Sequence, residues 1–358
     1  MRDTATGRSY QLDIMKLFFA IIVLISHTDT FIGENTRFVI PNGAGYWAVF
    51  FFFIVSGMLM VASQARRGAG RMSPAEAASA FVTRRLKGLM NPYLSALALN
   101  FAVFCCSIFV RGGKLLLVDA AKVIVQALFL SATSLDSFLL NSPAWYISAM
   151  LIVMLPFYYL LSRSKDFYLY IFAPLTAILA YAWCFNQENH YFAFWQYYGL
   201  VSGGIVLAAM GLSFGAVSWL IAEKLRKCVG RGHRIAATFA EAALYGLIFC
   251  VWFSPRCSAE SAYSVMLLLP AAVALSFSEV SYISELFHAQ ILKKAAPISL
   301  AVYLNHICAW RIVNALYLGR SYKFCLFSML AFTAALCPVY FLMMRAAHRI
   351  WEKFKACG

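Results

Sequence analysis

Residues 16–27 read KLFFAIIVLISH, an apolar run that begins with a lysine and ends with a histidine. Ten residues separate the two ionisable ones, and only Ser26 among those ten is polar. A run of this kind is typical of a membrane-spanning helix, and apolar runs of spanning length recur along the whole chain. We therefore predict an all-α fold, a polytopic transmembrane helix bundle.

The overall composition agrees with a membrane protein. The chain is 62% hydrophobic and 13% charged, whereas a soluble domain carries about 25% charged residues. We predict a single integral-membrane domain over residues 1–358, with no separate soluble domain. The first apolar run holds Lys16 and is followed by no small-residue cleavage site, so we expect a membrane span rather than a cleavable signal. Ten spans are predicted, with centres near residues 22, 54, 101, 152, 175, 205, 244, 269, 307 and 334.

One further apolar run, residues 115–130, differs from the spans. Asp119, Lys122 and Gln126 interrupt it at spacings of three and four, which places them on one face of a helix. We predict an amphipathic helix that lies at the membrane interface or is tucked against the bundle.

The positive charge points to membrane topology and not to nucleic acid. The net charge is +15, and with ten spans and a cytoplasmic N-terminus most of the 30 Lys and Arg residues fall on the inner side, as the positive-inside rule requires. Both termini are then cytoplasmic, and membrane lipid is the partner. Most of the ten cysteines lie in or beside apolar runs without CxxC spacing, so we expect packed thiols and no metal site.

The first span carries a polar face. Eleven residues advance about 1,100°, or three turns plus about 20°, so Lys16 and His27 share a face and lie about 16 Å apart along the axis. Asp13, three residues before Lys16, joins that face. Ionisable groups at this depth usually face a bundle interior or a cavity. The alternative is a neutral imidazole that is hydrogen-bonded to a neighbouring helix.

Two further stretches have a structural and a functional interpretation. TRRLKGLMNPY, residues 83–93, holds Arg84, Arg85 and Lys87 just before the third span. This cluster is either an orientation signal or an anion site for a multiply phosphorylated ligand. ISLAVYLNHICAW, residues 298–310, places Asn305 and His306 in mid-span. These two residues form either an interior site or interhelical hydrogen bonds.

Two more stretches are ordinary features of membrane helices when taken alone. FFFIVSGMLM, residues 51–60, contains Ser56-Gly57, a pair that permits close helix packing. SPAWYISAML, residues 142–151, begins a span with Trp145 and Tyr146, as interfacial anchors do.

These five stretches, in this order, resemble the integral-membrane acyltransferase family 3, the bacterial O-acyltransferase-like proteins. Five motifs support the resemblance. The first three are a basic residue followed after ten residues by histidine, a Phe-rich span ending in Ser-Gly, and a basic run leading to Pro-Tyr. The last two are a helix that starts with Trp and a second aromatic residue, and Tyr-Leu-x-His. Two departures are visible. Arg is commoner than Lys at position 16, and Gly88 stands where another Arg is expected. This second departure leaves open whether Arg84 and Lys87 or Arg85 contacts an anion.

The resemblance implies transfer of an acyl group, acetyl in the first instance, from cytoplasmic acyl-CoA to a glycan or related hydroxyl on the outer side of a bacterial inner membrane. Acyl-CoA is then a co-substrate, and no metal is needed. We predict His27 as the general base or acyl carrier. The expected phosphate contacts are Lys16, Arg84, Arg85 and Lys87. The expected cavity or substrate contacts are Asp13, Ser56, Trp145, Tyr303, Asn305 and His306. The rival hypotheses are a transporter or flippase, and a scaffold without a reaction.

Overall fold

The fold is an almost wholly helical bundle, seen in a computed structural model that describes residues 9–28, 31, 44–67, 72–110, 117–133, 140–187, 196–198, 201–228, 230–254, 258–287, 294–317 and 319–357. The first seven helices are α1 (Tyr10–Ser26), α2 (Ala44–Arg67), α3 (Pro74–Val110), α4 (Leu117–Ala127), α5 (Trp145–Arg163), α6 (Lys165–Phe167) and α7 (Ala173–Phe185). The others are α8 (Gly203–Leu225), α9 (Arg231–Trp252), α10 (Ala259–Met266), α11 (Leu269–Ser278), α12 (Ala295–Leu316) and α13 (Tyr322–Cys357). The strands β1 (Tyr197–Tyr198) and β2 (Val201–Ser202) form one short antiparallel hairpin, with Tyr197 opposite Ser202.

The predicted polytopic bundle is confirmed. Within the described residues, 9 helical segments are long and apolar enough to cross a membrane. The 17-residue helix α1 coincides with the remaining predicted span, and this length lies at the lower limit of about 17 residues for a spanning helix. Large apolar side chains on the outer helices are exposed, among them Phe239, Phe327 and Leu342. This exposure is expected where the surrounding medium is lipid.

The spans depart from the predicted positions in three places. α3 begins at Pro74, so its middle lies N-terminal to the predicted centre near residue 101. The early start has a local cause, because Ser73 and Glu76 form a capping box ahead of the basic cluster. Residue 205 lies in the first turn of α8 and not at its middle. The predicted span near residue 269 consists of two helices, α10 and α11, separated at Leu267 and Leu268.

The helix α4 matches the predicted amphipathic segment. Its 11 residues extend over about 16 Å, too short to cross the roughly 30 Å of hydrocarbon. Gln126, predicted on its polar face, is fully buried, and its Oε1 accepts a hydrogen bond from the Asn141 N–H at 3.1 Å. The Tyr93 hydroxyl donates to the Gln126 carbonyl at 2.7 Å. The C-terminal end of α4 is therefore tucked against the bundle, while the side chain of Asp119 lies outside the described residues.

The centre of the bundle is formed by α1, α2, α8 and α12. α1 packs against α12 and α2, and α2 packs against α8. Phe19 of α1 stacks on Phe51 of α2 at a ring-centroid distance of 4.0 Å. Both of these phenylalanine rings are fully buried. α1, which carries the predicted Lys16 and His27, is thus held between two helices of the core.

The contact between α2 and α8 depends on glycine. A Cβ atom on Gly57 would overlap the backbone carbonyl of Leu212, and one on Gly215 would overlap the carbonyl of Ile54. Gly211 similarly faces the Cβ of Phe53. Small residues let two helix backbones approach closely, and van der Waals packing is the main attraction between helices in lipid. The predicted packing role of Ser56-Gly57 therefore applies to Gly57.

A buried polar network anchors the beginning of α1. Glu241 of α9 is almost completely buried and accepts hydrogen bonds from Gln11 Nε2, Ser276 Oγ and Ser281 Oγ. Tyr245 joins this network, because its hydroxyl lies 3.1 Å from Ser276 Oγ. Because a buried carboxylate is costly unless its oxygens are hydrogen-bonded, these donors tie α1, α9 and the end of α11 together.

The glycine contact generates a stability prediction. Gly215→Ala adds one methyl group where α2 already touches α8, so we expect it to lower the free energy of unfolding by about 1–3 kcal/mol, the usual cost of overpacking. The matched control is Gly246→Ala on α9, where an added Cβ meets nothing within 4 Å. Thermal unfolding of both variants in the same detergent measures the effect. Equal midpoints for the two variants would show that the contact is not tight.

Candidate active site

The polar face predicted for the first span is present on α1. Lys16 Nζ lies 3.2 Å from Asp13 Oδ1, with side-chain exposures of 25% and 5% respectively. His27 directly follows the last helical residue and is partly exposed. Because the helix is continuous between them, its rise of about 1.5 Å per residue keeps Lys16 and His27 about 16 Å apart along the axis.

A cavity of about 380 Å³ lies beside α1 and is bounded by α2, α3, α5 and α12. This volume is within the range of about 300–1,000 Å³ found for small-molecule sites. Its walls are mainly apolar, with a few polar groups placed among them. The lining residues are Lys16, Phe52, Val55, Ser56, Leu59, Arg84, Arg85, Gly88, Leu89, Tyr146, Ile147, Met150, Ala296, Ser299, Leu300 and Tyr303.

The charged residues of this lining are all cations: Lys16, Arg84 and Arg85. Arg84 is exposed and Arg85 is partly buried, its Cζ 5.5 Å from the ring centroid of Phe81. Gly88 also lines the cavity, whereas Lys87 does not. Arg84 and Arg85 thus line the cavity together with Lys16. We call these three residues the basic mouth.

Hydroxyl groups line the cavity together with the basic mouth. Ser56 Oγ and the Tyr146 hydroxyl are 2.9 Å apart, and the Tyr146 hydroxyl also donates to the Phe52 carbonyl at 3.3 Å. The Tyr303 hydroxyl donates to the Pro143 carbonyl at 3.0 Å. The rings of Tyr146 and Tyr303 are in edge contact, with centroids 5.8 Å apart. The cavity thus brings three cations and a group of phenol and serine hydroxyls into one lining.

A pair of histidines lies next to Tyr303. The rings of His27 and His306 are 4.8 Å apart, and the His306 ring is 6.2 Å from that of Tyr303. His27 Nδ1 lies 2.8 Å from the Val23 carbonyl, and His306 Nδ1 lies 3.3 Å from the Val302 carbonyl. A carbonyl can only accept, so in each neutral imidazole Nδ1 carries the proton and Nε2 is the basic nitrogen.

His306 is fully buried, and within the described structure its Nε2 has no hydrogen-bond partner. Asn305 is also fully buried and donates to the Ala301 carbonyl at 2.8 Å, which leaves its Oδ1 without a partner among the described residues. Asn100 and Asn141 both donate to the carbonyl of Leu304, at 3.2 Å and 3.0 Å. A polar environment therefore surrounds this part of α12 inside the bundle.

The structure assembles most of the residues predicted from the sequence. Lys16, Ser56, Arg84, Arg85 and Tyr303 line one cavity, and His27 and His306 form a pair beside it. The other four predicted residues belong neither to this lining nor to the histidine pair. Asp13 pairs with Lys16, and Trp145 packs on Phe53. The remaining two are Lys87 and Asn305.

Tyr146 was missed as a site residue. The WY pair is typical of interfacial anchoring, and Trp145 is the residue of the pair that the sequence predicts as a cavity contact. Adjacent helical residues point about 100° apart, and the sequence does not indicate which of the two aromatics faces the site. In the structure it is Tyr146 that lines the cavity and contacts Ser56.

The thiols in the described part of the chain are free, namely Cys105, Cys106, Cys184, Cys228, Cys250, Cys308, Cys325 and Cys337. Over that same part, no group of three or more His, Cys, Asp or Glu residues could hold a metal ion.

The fold and this cavity define a polytopic helical membrane protein with an internal small-molecule site. A family model described as an acyltransferase domain, the acyltransferase 3 type, matches residues 9–344. The chain therefore belongs to this family of membrane acyltransferases, as its motifs indicated. No curated protein and no solved structure matches the chain.

The cavity boundary can be checked on two neighbouring residues of α12. Leu300 lines the cavity, and Ala301 is fully buried outside the lining. We expect a cysteine in Leu300→Cys to react with a small water-soluble thiol reagent at least 10-fold faster than one in Ala301→Cys. Peptide mass spectrometry locates the label and makes removal of the native cysteines unnecessary. Comparable labelling at both positions would contradict the described cavity wall.

Proposed function

We propose that the protein transfers an acyl group, acetyl in the first instance, from cytoplasmic acyl-CoA to a hydroxyl of a glycan or related acceptor on the outer side of a bacterial inner membrane. One observation carries the proposal. A single cavity is lined by three cations and by hydroxyl groups, and a histidine pair adjoins its Tyr303 wall, in a chain of the acyltransferase family.

The basic mouth suits the phosphates of coenzyme A. Arg84 and Arg85 offer planar donors for bidentate contact with phosphate oxygens, and Lys16 adds a compact ammonium. The apolar walls suit the pantetheine arm, whose far end carries the thioester. The distance of about 16 Å from Lys16 to His27, given by the helix rise, leaves room for this extended arm.

His27 would act on the acceptor hydroxyl. Its basic Nε2 takes the hydroxyl proton, the acceptor oxygen forms a bond to the thioester carbonyl carbon, and the carbon–sulfur bond breaks. The coenzyme A thiolate then recovers the proton from the imidazolium. In the second form of this proposal the imidazole itself first carries the acyl group. His306, beside His27, supplies a second neutral imidazole in either form.

The orientation is part of the proposal. Basic residues cluster before α3, after α8 and at the end of α13. The positive-inside rule then puts these segments and both termini in the cytoplasm, with the basic mouth on the inner side. His27 lies further along α1 and is partly exposed, as an outer acceptor requires.

A transporter or flippase is the rival hypothesis, since it would also need a cavity and polar groups within the bundle. Formation of acylated product by purified protein from acyl-CoA and an acceptor separates the two. Transport in liposomes without any acyl-CoA consumption would favour the rival.

Lys16 generates a binding prediction. Lys16→Met keeps the stem but deletes a charge worth about 1–3 kcal/mol in a partly desolvated contact. We expect acyl-CoA affinity to fall on the order of 5- to 150-fold. Lys16→Arg keeps the charge and should retain most of the affinity. Isothermal titration with a non-hydrolysable acyl-CoA analogue measures both.

A different result is expected if Lys16 has only a structural role, as the ion-pair partner of Asp13. Lys16→Met would then lower yield or stability while the dissociation constant per folded molecule stayed the same. That outcome would remove Lys16 from the donor site.

His27 generates a rate prediction. His27→Ala should leave the protein folded in the membrane and lower acyl transfer about 10²-fold or more, the scale of losing a general base. His233→Ala, an exposed histidine on α9, is the control and should keep the parent rate. Near-parent turnover by His27→Ala at equal protein level would refute the mechanism.

A further inference from the structure

The neutral polar side chains of the cavity differ in how their hydroxyls are hydrogen-bonded. In the described lining these side chains are Ser56, Tyr146, Ser299 and Tyr303. The Tyr303 hydroxyl is held by the Pro143 carbonyl at 3.0 Å. Ser299 is only 4% exposed, and within the described part of the chain its hydroxyl has no hydrogen-bond partner. A nearly buried, unpartnered hydroxyl in a cavity wall indicates a ligand contact, because buried polar groups are normally paired.

Ser56 presents lone pairs to the cavity and not a proton. The Tyr146 hydroxyl donates its one proton to the Phe52 carbonyl at 3.3 Å, so the Ser56 hydroxyl, 2.9 Å away, donates to Tyr146. A serine oxygen has two lone pairs besides its proton, so the Ser56 oxygen can still accept a hydrogen bond. Ser56 is therefore an acceptor, whereas Ser299 still has its proton to donate.

α2 and α12, which carry these two serines, run in opposite directions. Gly45 at the start of α2 lies against Ser26 at the end of α1, so α1 and α2 are antiparallel. His306 lies against His27 at the end of α1, while the first turns of α12 line the cavity with Lys16 from the earlier part of α1. α12 is therefore parallel to α1 and antiparallel to α2.

Ser56 and Ser299 lie at the same level of the cavity. The rings of Phe52 and Tyr303 join α2 to α12, with their centroids 5.4 Å apart. Ser56 comes four residues after Phe52, and Ser299 comes four residues before Tyr303. Four residues are about one helical turn, with a rise of about 6 Å. Because the helices are antiparallel, both steps lead away from the ring contact in the same direction, so the two serines belong to opposite walls.

We propose that Ser56 and Ser299 bind a secondary amide of the pantetheine arm of the donor. Ser56 Oγ accepts the amide N–H, and the Ser299 hydroxyl donates to the amide carbonyl. The inference rests on the proposed function and deepens it, because it assigns a contact to the middle of the arm.

The chemistry of the two serines selects an amide over the other groups of acyl-CoA. A secondary amide has one donor and one acceptor, and it is costly to bury in an apolar cavity unless both are hydrogen-bonded. Coenzyme A carries two such amides between its phosphates and its sulfur. An ionised phosphate and a thioester carbonyl only accept hydrogen bonds, so neither would use the lone pairs of Ser56.

A binding experiment with three analogues tests the inference without turnover. The first analogue is the S-propyl thioether of coenzyme A, which keeps both amides. In each of the other two, an ester replaces one of the amides, so one N–H is lost and the carbonyl is kept. By isothermal titration, wild type should bind the thioether more tightly than one of the two esters, by on the order of 2- to 13-fold for one hydrogen bond.

The two serines should give different results with these analogues. In Ser56→Ala the amide N–H has lost its acceptor, so the ratio of the dissociation constants of that ester and the thioether should fall to about one. In Ser299→Ala the carbonyl that both ligands share has lost its donor. Both affinities should then fall, on the order of 2- to 13-fold, while the ratio stays at the wild-type value.

The matched control is Ser107→Ala on α3. The Ser107 hydroxyl donates to the Phe104 carbonyl of its own helix at 2.8 Å and lies outside the cavity lining. Its removal should leave both affinities and their ratio unchanged. Because the ratio compares two ligands on one preparation, a misfolded fraction of any variant cancels.

The results that would overturn the inference are distinguishable from failure of the proposed function. Equal binding of all three analogues by wild type, or a wild-type ratio in Ser56→Ala, removes the amide site while the acyl-CoA donor stands. Unchanged affinities in Ser299→Ala also overturn the two-serine site. Failure of wild type to bind the thioether removes the proposed donor itself, and the amide site with it.

Discussion

The close contact of α2 with α8 is the constraint on which the site depends. Gly57, Gly211 and Gly215 let the two backbones meet without intervening side chains. Lipid offers no hydrophobic gain for pairing apolar helices, so this contact depends on dense van der Waals packing. With the Gly57 face held against α8, the neighbouring face of α2 carries Phe52, Val55 and Ser56 to the cavity. The glycine contact therefore fixes the direction in which one wall of the site points.

The polar groups of the site are satisfied largely within their own helices. Lys16 pairs with Asp13 three residues earlier, and His27 and His306 each use Nδ1 on the carbonyl four residues back. Local bonds of this kind offset the cost of placing polar groups in an apolar bundle. They also set the imidazole tautomers, so the basic nitrogen of each ring is the one that a local carbonyl does not hold.

Aromatic rings separate the cavity from the histidine pair. Tyr303 contacts Phe52, Tyr146 and His306, with ring centroids 5.4 Å, 5.8 Å and 6.2 Å away. α12 therefore has a double role, since Ala296, Ser299, Leu300 and Tyr303 line the cavity and His306 lies one turn further.

The sequence alone determined the all-α polytopic class, the spacing of Lys16 from His27 and the family, because span length, helix rise and motif order are local properties. It did not determine which of Trp145 and Tyr146, or of Arg85 and Lys87, faces the cavity. Nor did it reveal that Glu241 would meet Gln11, or that His306 would lie against His27. These choices depend on how each helix is rotated about its axis. That rotation is set by packing between helices far apart in the chain, which only the tertiary structure decides.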